Sequence, residues 1–163
     1  MTEEKRLKVL LDLQKGLRDD MKYKVEIAAD VNGNKMIRCI APLFEDDKGY
    51  VLIEICELDY DENFELFQIY STLIMEPGPG LDELRKTVNA WNLTSTLGAY
   101  GIYEVLGQLF HKYNVVVGVD DDVDVVVGQV FAVLYTVMNE MGSKLADAIN
   151  ISNGKLSFAD ISK

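Results

Sequence analysis

The 163-residue chain carries a single histidine, and it has only two cysteines, three prolines and one tryptophan. Each scarcity closes off chemistry. A serine or cysteine nucleophile needs an imidazole base beside it, and His111, set between Phe110 and Lys112, is expected in a solvated turn where it serves no such pair. Zinc needs clustered Cys and His ligands, which Cys39, Cys56 and one distant histidine cannot supply. The cysteines lie in separate strand-like runs, not in a Cys-x-x-Cys pair, and read as reduced core residues. No cofactor and no metal are expected.

Long uncharged apolar runs are also missing. The stretch from Val115 to Tyr135 comes nearest to the ~18 residues that a membrane span needs, but Asp120, Asp121, Asp122 and Asp124 interrupt it. The opening Met1-Thr2-Glu3-Glu4-Lys5-Arg6 has no apolar block before a small-residue cleavage site, so no secretory signal is read there. The expectation is a cytoplasmic chain with no membrane partner. Positive charge is the last deficit: 27 acidic side chains face 16 basic ones for a net −11, which repels a phosphate backbone and argues against nucleic acid as a partner. The imbalance is uneven, because residues 1–38 hold nine basic and seven acidic side chains, and the remainder holds seven and twenty. A solvated acidic face explains this, and so does steering of a basic peptide or of one subunit against another.

What is present is the 48% apolar share of a globular protein, enough for one domain over residues 1–150 followed by a polar tail over 151–163. Thr2 can cap a first helix over about residues 3–20, with Leu7, Leu10, Leu11, Leu17 and Met21 as its apolar stripe. At Tyr23 the period changes to two. Strands are expected from Tyr23 to Ala29, Met36 to Leu43, Tyr50 to Leu58 and Phe64 to Met75, with turns at Asn32-Gly33-Asn34, Asp46-Asp47-Lys48-Gly49 and Asp59 to Asn63. Glu76-Pro77-Gly78-Pro79-Gly80 cannot continue a ladder and marks the exit from the sheet. It also lacks the lysine and glycine spacing of a phosphate-binding loop.

A second helix follows, with Leu81, Leu84, Val88 and Trp91 on one face. Two further strands are expected at about Ala99 to Leu106 and Lys112 to Val119, joined by a turn over Gly107 to His111, and then a third helix running to about Asn150. Val127, Val130, Leu134, Val137, Met141, Leu145 and Ala148 form its main stripe, and Val123, Val126, Val133 and Met138 widen it beyond what one sheet face covers. Either the helix is fully enclosed in its own core, or the surplus meets a second chain. The acidic runs leave another opening: Asp120 to Asp124 caps a helix or holds Ca²⁺ or Mg²⁺, and the carboxylates from Glu54 to Glu65 form a solvated edge or do acid-base work.

The result is an α+β fold, an antiparallel sheet with flanking helices in the order α-β-β-β-(β)-α-β-β-α. That order resembles the type III secretion chaperone-like fold, and Leu84-Arg85-Lys86-Thr87-Val88-Asn89-Ala90-Trp91-Asn92 resembles the corresponding helix of the YbjN family, where an apolar stripe ends in a tryptophan-asparagine pair. Four strands before that helix is one more than the family's usual three. The resemblance implies a small acidic protein, commonly a homodimer, whose sheet and helix faces hold a client chain or which acts as a regulator; the lack of catalytic equipment adds the expectation that it is not an enzyme, and the expected mode of binding is apolar grooves beside the sheet, with an added strand pairing to an exposed edge. On this reading Trp91, Val133, Val137, Met138 and Met141 would bind the partner, since aromatic and methionine side chains supply adaptable apolar contact. The alternatives are an immunity or adaptor protein in a secretion or toxin assembly, and a small-ligand or divalent-metal enzyme built on the acidic clusters.

Overall fold

The structure is a computed structural model and describes residues 1–43 and 49–162. Ten elements follow in order: α1 (Glu3–Asp19), β1 (Lys24–Ala29), β2 (Lys35–Pro42), β3 (Tyr50–Asp59), β4 (Phe64–Ile74), α2 (Leu81–Asn92), β5 (Ala99–Tyr103), β6 (Gln108–Gly118), α3 (Val123–Ser152) and α4 (Phe158–Ile161). All strand pairs are antiparallel, and the six-stranded sheet has the order β1-β2-β3-β4-β6-β5. The α+β class and the sequence of elements agree with the expectation, including the fourth strand before α2. The turn expected over Asp46 to Lys48 lies outside the described residues.

Thr2 caps α1 as expected, its hydroxyl accepting from the Lys5 amide at 3.3 Å. The buried stripe is rotated from the one read in the sequence: Val9, Leu10, Leu13 and Leu17 face inward, and Leu11 is 47% exposed. The reason is tertiary, because α1 must meet α3 as well as the sheet. At that crossing Gly16 lies under the Phe131 ring, where an added Cβ would come within 2.5 Å of Cζ. A larger residue there would require the Phe131 ring to move aside.

The three long helices pack against one another and against a single face of the sheet: α1 over β1 and β2, α3 over β4 and β6, and α2 over β5. Ile37, Ile53, Ile55, Phe67, Ile69 and Leu109 point from the strands into one continuous core with Leu13, Leu84, Leu134 and Leu145 of the helices. This arrangement is what a period of two makes available, since alternate side chains of one strand fall on opposite faces.

Two expectations about chain course are corrected. The hairpin between β5 and β6 turns at residues 104–107, with the amides of Leu106 and Gly107 bonded to the Tyr103 carbonyl and Gly107 at φ +71°. His111 therefore stands inside β6 and is buried, because the alternation that puts Leu109, Val115 and Val117 inward puts position 111 inward too. At the other end α3 continues past Asn150 to Ser152, with Ile151 and Ser152 buried. The Gly80 amide donates to the Ser152 carbonyl at 3.1 Å, the Gly78 amide to the Ser152 hydroxyl at 3.1 Å, and a Cβ on Gly80 would stand 1.7 Å from the Ile151 carbonyl oxygen. The glycines after β4 thus seat the end of α3. Beyond it α4 lies against α2, with the Phe158 amide donating to the Glu83 carboxylate at 2.8 Å, so the segment read as a polar tail is folded back on the domain.

Candidate functional site

The residues expected to contact a partner face mainly inward. Val137, Met138 and Met141 are buried in the core with Trp91, which is 8% exposed, and Val133 is half-buried against the same core. Part of the surplus of α3 is taken up by α1, α2 and the sheet together: Val126 and Met138 are buried, and Val123 and Val133 are half-buried. What α3 leaves outside is sparse: Val125 and Tyr135 are exposed, separated by Gly128, Gln129 and Ala132. By length and composition α3 could cross a membrane, at a mean hydropathy of 1.3, but its apolar stripe is spent on the core.

Trp91 and Asn92 do a structural task that the sequence does not announce. Trp91 packs edge-on against Tyr100, ring centroids 5.4 Å apart, and Tyr100 packs against His111 at 4.8 Å. The Asn92 side chain accepts from the Tyr100 amide at 2.7 Å and donates to the Tyr100 carbonyl at 2.9 Å. A strand added at that edge would make the same two bonds, so Asn92 closes the edge of β5 at Tyr100. His111 Nε2 lies 2.7 Å from the Leu97 carbonyl, which can only accept, so Nε2 carries the proton. Burial lowers the imidazole pKa, and Nδ1 has no partner. Ser71, the residue paired with His111 across β4 and β6, is buried with an unpartnered hydroxyl. Both are shut inside the core, away from any substrate. Nearby Glu140 is held down at about 2: burial opposes this, and hydrogen bonds from Lys144 (2.5 Å) and the Thr96 amide (2.9 Å) outweigh it.

The face of the sheet opposite the helices is the larger candidate. Strand register places Ile40, Leu52, Thr72 and Phe110 in one row across β2, β3, β4 and β6, and Leu58, Leu66 and Val116 in another. Ile40 is 44% and Val116 58% exposed, and among the described residues no helix covers either row. Tyr70 stacks on Phe110 at 4.9 Å and extends the first patch. Between the patches runs a polar belt in which Arg38 Nη2 meets Glu54 at 2.9 Å and Gln68 donates to Asn114 at 3.1 Å.

A second candidate is a cleft of about 430 Å³ between the first turns of α1, the β1–β2 turn and the end of β3. Arg6 anchors it, with Nη2 2.8 Å from Asp59 and 3.1 Å from Glu65, and Nε 2.6 Å from Glu57. Glu65 is 2% exposed and also pairs with the Met1 amine. Burial, then the negative charge of Glu65, push the Glu57 carboxyl up to about 7, against the pull of Arg6. Glu65 moves the other way: burial would raise it, but hydrogen bonds from the Met1 amine and Arg6 bring it below the usual carboxylate range. Two adjacent acids pushed apart in this way can share one proton. The sequence had flagged the acids from Glu54 to Glu65 but could not foresee Arg6, which arrives from a helix more than fifty residues away.

Among the described residues no group of three or more His, Cys, Asp or Glu is placed to hold a metal ion. No protein-family model matches the chain, and comparison with curated proteins finds no match.

Proposed function

We propose that this chain is a non-enzymatic protein-binding module, chaperone-like or regulatory, that works in the cytoplasm as a homodimer and holds a partner chain against the bare face of its sheet. The observation that carries this reading is the one-sided placement of the helices, which leaves Ile40, Leu52, Phe110 and Tyr70 on one side of a polar belt and Leu58, Leu66 and Val116 on the other. An antiparallel sheet tolerates one solvated face, but that face is then normally polar, and the two apolar patches beside this polar belt offer area that a partner chain can bury. The binding surface therefore shifts from the buried Trp91, Val137, Met138 and Met141 to the opposite side of the sheet. Added-strand pairing belongs at β1, since Asn92 occupies β5. The reading as a type III secretion chaperone-like protein of the YbjN kind rests on resemblance, with one strand more before α2 than that family's usual three, and purification of the complex from cells identifies the client and separates a chaperone from an immunity or adaptor role.

Light scattering of the purified chain, alone and after Val116→Glu, tests the reading. A dimer that becomes monomeric with unchanged circular dichroism supports it, whereas a monomer that captures no partner through Ile40, Phe110 or Val116 removes it. One observation favours a second reading, a small-ligand enzyme: the cleft beside Glu57, whose carboxyl burial pushes up to about 7, the range that suits a general acid or base near neutrality.

A further inference from the structure

On the bare face of the sheet, each outward side chain of β4 is flanked by one residue of β3 and one of β6. Leu52 and Phe110 flank Thr72, Glu54 and Lys112 flank Tyr70, and Leu58 and Val116 flank Leu66. The flanks match in kind, apolar with apolar and acid with base. Charge on this face is also balanced: its strands carry Lys24, Arg38 and Lys112 against Glu26 and Glu54, although the whole chain stands at −11. The acidic excess lies elsewhere, which lowers the repulsion that two copies would meet here. Arg38 reaches Glu54 through Oε1 alone, at 2.9 and 3.1 Å, and Lys112 is exposed with no acidic partner among the described residues. The Phe110 ring stacks on Tyr70 and lies over Gly101, where a Cβ would come within 2.5 Å of Cζ, so its position is set before any partner arrives.

We infer that the occupant of this face is a second copy of the chain, packed sheet to sheet about a two-fold axis close to the direction of β4. The inference rests on the partner-binding reading above and names the partner. Rotation about β4 exchanges its two flanks, so Leu52 lies against the partner's Phe110, Leu58 against the partner's Val116 and Glu54 against the partner's Lys112. Each contact is made twice, as an isologous interface requires. Packed sheets stand ~10 Å apart, a gap that a glutamate and a lysine reaching from opposite sides can span. Other two-fold placements match less well. An axis across the strands sets like charges together or charges on the apolar rows, and one between β3 and β4 sets Arg38 on Lys112. An axis between β2 and β3 pairs Arg38 with Glu54 but leaves Phe110 and Val116 uncovered. Centred on β4, the contact spans about five strands by about seven residues, or roughly 500 Å² before side-chain relief, approaching the ~800 Å² per partner of a standard interface.

The test is sedimentation equilibrium of Glu54→Lys, of Lys112→Glu and of their equimolar mixture, with circular dichroism to check folding. Each variant alone sets like charges opposite one another at two places, and self-association should weaken at least about tenfold. In the mixture a carboxylate faces an ammonium at both places, so a heterodimer should form about as tightly as the unmodified dimer. The chain carrying both changes should likewise dimerise, which gives the same answer without mixing. An unmodified chain that stays monomeric, a dimer unmoved by either variant, or a mixture and a doubly changed chain that both stay monomeric overturns the inference. Val116→Glu keeps its failure apart from that of the wider reading. If Val116→Glu dissociates the dimer but the mixture does not recover, the bare face remains the binding surface and the axis along β4 is wrong; a dimer that survives Val116→Glu removes the face itself.

Discussion

The two faces of the sheet are made by the same strands and differ in nearly everything else. On the helix side β3 shows Val51, Ile53 and Ile55, all fully buried, and on the other side the same strand shows Leu52, Glu54 and Cys56, all half-buried. Acid-arginine contacts occur on both. On the open face Arg38 and Glu54 form a solvated cross-strand pair, of a kind worth at most about 1 kcal/mol. Under α1, Arg6 is drawn into a cluster where Glu57 and Glu65 cannot both ionise freely. The balance differs from group to group: burial outweighs Arg6 at Glu57, whereas at Glu65 and Glu140 the hydrogen bonds outweigh burial.

Substitutions can break that contrast. The largest effect is expected from Phe67→Ala on the covered face, about 3–5 kcal/mol of stability by urea unfolding; a loss as small as that of an open-face substitution would show that the helix side is not the core. Next is Asn92→Ala, which leaves the Tyr100 amide and carbonyl without partners. It should cost about 1–2 kcal/mol and speed hydrogen exchange at Tyr100, and unchanged exchange would mean that Asn92 does not close β5. The acid pair sets a smaller, pH-dependent term. Glu57 is raised from 4.5 to about 7 in the folded chain, so the native state binds the extra proton and loses stability as pH climbs through that window. The group is partly solvated and Glu65 shifts the opposite way, so the loss should be about 1 kcal/mol. Glu57→Gln should flatten the slope, and a slope that persists would assign it elsewhere. Glu140 carries the reverse sign: its stabilising contribution is present above 4.5 and disappears as pH falls through about 2. The smallest change in stability, within about 0.5 kcal/mol, is expected for Ile40→Glu or Val116→Glu on the open face, together with the greatest loss of self-association or partner binding by light scattering.

Much of the fold was legible because local signals agreed. The alternation in Tyr50 to Leu58, the glycines and prolines at residues 77–80 and the Thr2 cap each mark an element found within a few residues of its expected place. The misreadings have two causes. His111 is in a strand because the hairpin turns at Gly107, a local signal placed a few residues too late, whereas Leu11 points outward and Val9 inward because α1 packs on α3, and residues 151–152 are buried because Gly78 and Gly80 reach across from the end of β4. Only the last two depend on residues distant in sequence. The candidate cleft was half visible: its acids from β3 and β4 stood out as a cluster, but Arg6 comes from α1.

The sequence by itself determined the periods, the breaks between them and the acidic balance, because side-chain alternation and backbone freedom are local properties. It could not determine which side of each strand the helices would cover, or that α1, α2 and the sheet would together bury Val137, Met138 and Met141 of α3. Those outcomes belong to tertiary packing, where burial is settled by residues distant in the chain, and they move the candidate surface from α3 to the uncovered side of the sheet.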